Sequence, residues 1–172
     1  MKKAILFLVI VAAVVIVALK VKKSGDTTNS TNPNNMSQEN PVQVITISHA
    51  TMVLRWGDTV VYTDPTGGAS AFAGQPPADV IVVTDVHGDH LSSSTLAAVI
   101  GDAKLVVPQA VKDLLPADLA TRAQILDNAE SMPVAGLGIT AIPMYNLPES
   151  SDSRHTKGRG NGYLLERDGF SV

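Results

Sequence analysis

Apolar positions divide the chain into three zones. Ala4 to Leu19 is one unbroken apolar run, with Lys2-Lys3 before it and Lys20, Lys22 and Lys23 after it. Residues 24–40, SGDTTNSTNPNNMSQEN, carry almost no apolar side chain. From Val42 onward, short apolar runs alternate with turn residues. In this third zone the β-branched and partly alternating stretches 42–48, 51–56 and 59–63 predict three strands, with Gly57-Asp58 as turn chemistry between the last two. A Gly/Ala/Pro-rich loop follows, and the nearly continuous apolar run 78–84 predicts a strand buried on both faces. Residues 91–101 read as a short helix, capped by Ser92–Ser94 and stopped by Gly101. A strand is expected at 104–107, and short helices at 109–115 and 117–122, with Pro116 opening the second. Further strands are expected at 124–126, 131–134, 138–143 and 163–167, before a turn at Asp168-Gly169. Strands in series and then alternating with helices predict an α/β domain over 42–172.

The first zone, residues 1–23, is sixteen apolar residues between lysines. As a helix it reaches about 24 Å, slightly short of a hydrocarbon core of roughly 30 Å, and lysine side chains can snorkel across part of the difference. It reads as a membrane anchor. A cleaved signal peptide is the alternative, which ALKVKKSG fits poorly for want of small residues at a cleavage point. A membrane-tethered or exported protein follows from either. Residues 24–41 read as a flexible Ser/Thr/Asn-rich linker, too poor in apolar surface to offset the entropy of ordering.

Composition narrows the chemistry. The 172 residues include no Cys, which removes disulfides, thiolate ligands and a Cys nucleophile. Net charge is −3 and no basic patch is present, so no nucleic-acid partner is expected. The stretch that stands out is TDVHGDH, directly after the buried strand. It places Asp85, His87, Asp89 and His90 within six residues, with Gly88 allowing a tight turn among them. Imidazole nitrogens and carboxylate oxygens together suit zinc, with manganese or iron also accommodated. The plain alternative is a polar loop whose carboxylates cap the next helix.

TDVHGDH resembles the metal-binding motif of the metallo-β-lactamase superfamily, His-x-His-x-Asp-His after a buried strand. The stretch ITISHATMVLRWGDTVVYTDPTGG resembles the opening hairpins of the branch that includes ascorbate-6-phosphate lactonase and the N-acyl-phosphatidylethanolamine phospholipases, and RHTKGRGNGYLLE resembles a later segment of that branch. The resemblance covers 42–172. It implies an αββα sandwich with one or two divalent metals at one edge. Position 85, His87 and His155 would hold the first metal, and Asp89 and His90 the second. A metal-bound hydroxide would then attack an ester, lactone, amide or phosphodiester of a small-molecule or lipid-like substrate, with Asp89 and His49 as candidate catalytic residues. His49 would act by contacting substrate or a ligand, or else is a plain hairpin residue.

Two departures qualify it. Position 85 is Asp where the pattern has His. A carboxylate still ligates, so the site is expected to function, with a degenerate site as the alternative. In addition, the later Asp that bridges two metals and a final His in this superfamily have no counterpart before Val172. The domain is therefore expected to be C-terminally incomplete, or else a single-metal or non-catalytic binding module.

Other residues carry two readings each. Asp64 can orient a ligand His or close a strand end. Tyr145-Asn146 can line the cleft or form a turn. Trp56 is expected to pack. Arg154, Lys157 and Arg159 are expected to be solvated loop charges, with contact to an anionic substrate as the alternative.

Overall fold

The computed structural model describes residues 41–172. The expected anchor at 1–23 and nearly all of the linker at 24–41 lie outside the described residues. Among the described residues no helix is long and apolar enough to cross a membrane.

Among the described residues ten strands form two sheets. The first begins with a meander of β1 (Val42–Ser48), β2 (Thr51–Trp56) and β3 (Thr59–Thr63), paired antiparallel. It continues with β4 (Val80–Val82), β5 (Lys104–Val107) and β6 (Ala123–Ile125), all parallel to β3. Between the parallel strands run α1 (Ser93–Val99), α2 (Gln109–Lys112) and α3 (Ala117–Ala120), as parallel pairing requires crossover connections. The second sheet is antiparallel, in the order β10 (Phe170–Ser171), β9 (Gly160–Arg167), β8 (Leu137–Met144) and β7 (Ser131–Val134).

Strand alternation sends side chains into two separate cores. Val53, Tyr62, Ile81, Val83, Leu105 and Val107 face the helices, where Leu96, Val111 and Leu119 cover them. Their neighbours Leu54, Trp56, Val61, Val80, Val82 and Val106 face the other way, onto Leu137, Ile139, Ala141 and Leu165 of the second sheet. Strands β3 to β5 are apolar on both faces because both faces are covered. Trp56 packs in this second core, with Phe170 edge-on and Arg167 over its ring.

The α/β assignment holds. Of the expected αββα layers, the described residues form helix, sheet and sheet. Among the described residues all three helices belong to the first core, and none covers the outer face of the second sheet, where Ile142 is exposed. Several boundaries also move. The buried strand contracts from 78–84 to Val80–Val82, since beyond it the backbone leaves the ladder toward the candidate site. The helices expected at 109–115 and 117–122 each shorten to four residues, on either side of Pro116. Strand β9 begins three residues earlier than expected. Met144 pairs with Gly160 and Pro143 with Asn161, so pairing with β8 draws the Gly-Asn-Gly segment into the sheet.

Candidate metal centre

Parallel pairing of β3 with β4 sets the position of the site. Thr63 pairs with Val82, so the residues that follow, Asp64 and Thr84, lie side by side at the carboxyl ends of adjacent strands. The Asp64 amide donates to the Val82 carbonyl at 3.0 Å. Asp64 has a positive φ of 43°, a conformation Asp tolerates better than most residues. It turns its buried carboxylate back to accept from the Thr84 amide at 2.7 Å and the Thr84 hydroxyl at 2.6 Å. The same carboxylate lies 2.8 Å from His90 Nδ1. An imidazole that donates from Nδ1 presents its lone pair at Nε2, the usual way a carboxylate fixes a metal-binding histidine. Burial pushes the Asp64 carboxyl upward from its ordinary range, while the Thr84 and His90 contacts pull it down. Asp64 therefore closes the strand end and holds the His90 ring at once.

After Thr84 the chain enters a tight turn in which the amides of His90 and Leu91 both donate to the His87 carbonyl. This turn sends the four residues of TDVHGDH to two different places. His90 and Asp89 meet His49 from the β1–β2 turn, and Asp85 and His87 meet His155 from the β8–β9 loop. Within each group the ligand atoms lie within 4.8 Å of one another.

The first group is interior. Asp85 is fully buried. Its Oδ2 is 2.5 Å from His87 Nδ1 and 3.5 Å from His155 Nε2. The short contact lacks hydrogen-bond alignment: both Asp85 oxygens and His87 Nδ1 are buried without a hydrogen-bond partner. Buried polar atoms are nearly always satisfied, so the orphaned Asp85 Oδ2 and His87 Nδ1, which face each other beside His155 Nε2, fit an ion rather than a packed core. One carboxylate and two imidazoles match the donor chemistry of a zinc-type site. Asn146 supports it from behind. Its Oδ1 accepts from the His155 amide at 2.9 Å and lies 3.2 Å from His155 Nδ1, which leaves Nε2 to face Asp85. Asn146 thus lies against the site rather than only closing a turn.

The second group is open. His49 Nε2 lies 3.1 Å from Asp89 Oδ2, with side-chain exposures of 58% and 46%. The His49 ring stands edge-on to His90 at 5.3 Å. Its backbone sits at φ 51°, a local strain of the kind found where geometry is imposed from outside. Thr51 holds this turn in place by donating to the Asp64 carbonyl at 2.6 Å. Asp89 is held below the usual carboxylate range, chiefly by its own backbone N–H and then by His90, His49 and Arg154.

Three loop cations were expected to be solvated. Lys157 is, as an exposed pair with Glu149. Arg159 is not. Its Nε lies 3.4 Å from Asp85 Oδ1 and is buried without a hydrogen-bond partner, and its Nη2 donates to the Arg154 carbonyl. Sequence spacing gave no sign of this contact, which joins positions 74 residues apart. Gly160 makes it feasible. A Cβ there would lie 2.5 Å from Met144 Cε, 3.0 Å from the Thr84 carbonyl and 3.4 Å from Asp85 Oδ1, so β9 approaches the site only without a side chain. A cavity of about 560 Å³ opens beside both groups, with His90, His155, Met52, Leu54, Met144 and Tyr163 in its wall.

Comparison with known proteins agrees with this fold. The profile of the Beta-lactamase superfamily domain matches residues 25–172, and the chain belongs to the metallo-β-lactamase superfamily. A UPF0173 metal-dependent hydrolase of Thermococcus onnurineus is 27% identical over 134 residues, covering 76% of this chain and 59% of the relative. One from Pyrococcus horikoshii is 28% identical over 137 residues, with the same coverage. The chain thus spans 59% of the length of these curated relatives. Among solved structures, one from Parabacteroides distasonis named as a metal-dependent hydrolase superposes with a TM-score of 0.64 at 26% identity, over 76% of this chain and 58% of that one. CmlA, a diiron β-hydroxylase from Streptomyces venezuelae, shares the fold at a TM-score of 0.58 and 22% identity, over 78% of this chain and 29% of its own.

Proposed function

We propose that the chain is a metal-dependent hydrolase domain that cleaves an ester, lactone or phosphodiester-type bond in a small-molecule or lipid-like substrate. The observation that carries this reading is the set of orphaned, buried donor atoms on Asp85 and His87, converging with His155. The relatives named as metal-dependent hydrolases support it. Asp85, His87 and His155 hold the first divalent ion, zinc in preference, with manganese or iron compatible. Asp89 and His90 hold the second, and Asp85 serves as a ligand variant. When bound, such ions supply Lewis acidity and acidify water toward neutral pH. The protein does the rest. Asp64 and Thr84 fix the His90 ring, and Asn146 fixes His155. Asp89, held below the usual carboxylate range, would keep one oxygen free to accept a hydrogen bond from the attacking water, with His49 Nε2 3.1 Å from its Oδ2. The apolar residues around the cavity favour a substrate with an apolar body. Tethering through residues 1–23 would place such a site at a membrane surface, which carbonate-resistant fractionation of the source cells would test.

The decisive experiment measures metal content together with hydrolysis of p-nitrophenyl esters, a simple lactone and bis(p-nitrophenyl) phosphate. Bound metal and turnover that both disappear in His87→Ala are expected. Turnover that survives in His87→Ala would refute the assignment. Metal binding without turnover on any of these bonds would favour a non-catalytic binding module.

A further inference from the structure

We propose that Arg159 is an internal cation that competes with the divalent ion for Asp85 and so sets the metal affinity of the first group. This inference rests on the reading of Asp85, His87 and His155 as ligands. Asp85 is a fully buried carboxylate whose two oxygens face different partners. Oδ2 faces the two imidazoles, and Oδ1 faces the Arg159 guanidinium, with Nε at 3.4 Å. The guanidinium reaches the imidazole as well, with Nη2 3.5 Å from His87 Nε2. A carboxylate removed from water needs a compensating cation, and among the described residues the arginine beside it is Arg159.

The guanidinium cannot simply drift away when a metal enters. Nη2 is tied to the Arg154 carbonyl, and the backbone continues directly into Gly160, packed against the Thr84 carbonyl. Arg stays charged at any accessible pH, so a divalent ion held by Asp85 Oδ2 sits near a fixed positive charge. Arg159 therefore stabilises the empty group and opposes the filled one. It acts through Asp85, as a positioning residue.

The test is a zinc titration of the full chain against a competing chromophoric chelator, with thermal melting of each metal-free protein. Wild type, Arg159→Met, Arg159→Lys and His87→Ala are compared. Arg159→Met is expected to bind zinc about tenfold more tightly, the scale of effect that groups around a metal's ligands exert, while its metal-free form melts lower. Arg159→Lys keeps the charge but loses the tie to the Arg154 carbonyl, and is expected to bind zinc between wild type and Arg159→Met. A purely structural role would lower the melting point without tightening zinc. Unchanged or weaker binding in Arg159→Met, with binding abolished in His87→Ala, would overturn the role of Arg159 and leave the metal site standing. Equal tightening in Arg159→Met and Arg159→Lys would also overturn it, because charge would not be the cause. Zinc binding that is indifferent to His87→Ala would overturn the metal site and this inference together.

Discussion

The two groups of ligand-type side chains each take two members from the same seven-residue stretch and one histidine from elsewhere, yet they are built on opposite principles. The Asp85 group is interior and unsatisfied, with both carboxylate oxygens and His87 Nδ1 lacking hydrogen bonds. The His90 group is open to solvent at His49 and Asp89, and its least exposed member, His90, is partnered at Nδ1 through Asp64 and Thr84. A group that is satisfied without metal is pre-organised and loses little when empty. A group of orphaned buried atoms depends on an ion, or on a stand-in cation, for its stability. The difference between the two therefore has energetic consequences that mutation can read.

The largest effect is expected at the interior group. His155→Ala removes one of its three donors and should weaken zinc there by more than about a hundredfold, beyond the 10–100-fold typical of residues that only support ligands. The open group should keep its affinity, because His155 is not among its members. Chelator competition with stoichiometry measured in both proteins checks this. Equal weakening at both groups would mean that they form one coupled site and that the contrast is false.

Next comes Asp64→Ala, directed at the open group. It frees the His90 ring and leaves the Thr84 amide and hydroxyl without their acceptor. Metal affinity at His90 should fall about 10–100-fold. Metal-free stability should fall by about 1–3 kcal/mol, the cost of an unsatisfied buried polar group, as read by denaturant unfolding. Asp64→Asn retains much of the hydrogen bonding and should lose less on both counts.

Much of this arrangement is legible in the sequence, and the illegible part has a definite physical character. Strands such as 42–48, 51–56 and 59–63 follow from β-branched runs bounded by turn residues, and the structure keeps those limits. The density of donors in TDVHGDH marks a site because such spacing has few structural uses. What spacing does not convey is direction. Nothing in the stretch says that Asp85 and His87 turn one way while Asp89 and His90 turn the other, since that depends on where β3 and the β8–β9 loop deliver Asp64 and His155. Arg159 was read as solvated for the same reason: a contact across 74 positions exists only after β9 pairs with β8. Gly160 and Asn161 look like turn residues alone, and become strand residues because the second sheet recruits them.

Gly160→Ala sharpens the comparison at the interior group by geometry instead of charge. The added methyl meets the Thr84 carbonyl at 3.0 Å and Met144 Cε at 2.5 Å. The methionine end can move, but the carbonyl belongs to the strand exit that carries Asp85. Overpacking of this kind costs about 1–3 kcal/mol. The affinity of the interior group should fall with it, while the His49–Asp89 edge, which Gly160 does not touch, should be less affected. Unchanged stability and unchanged affinity would show that the strand exit is softer than its packing implies.

The smallest effect is expected where both groups share a support. Tyr163 donates its hydroxyl to the Val83 carbonyl at 3.0 Å, and the Asn161 amide donates to the Thr84 carbonyl at 2.9 Å. Together they brace the end of β4 from which both groups leave. Tyr163→Phe should cost about 1 kcal/mol for the lost hydrogen bond. It should shift the two affinities alike, since the brace lies upstream of their divergence. The phenol also gives the protein an alkaline limit. Desolvation raises the Tyr163 hydroxyl above its ordinary value of 10.0, and that of Tyr62 as well. Below pH 10 the proton is bound in both folded and unfolded chains, and the full stabilisation is present. Above it the unfolded chain gives up the proton first, so stability falls by up to about 1.4 kcal/mol per pH unit for each such tyrosine. Denaturant unfolding between pH 9 and 11 should therefore show a shallower alkaline decline in Tyr163→Phe, with the Tyr62 share remaining. A decline identical to wild type would place the Tyr163 hydroxyl in water and remove it from the brace.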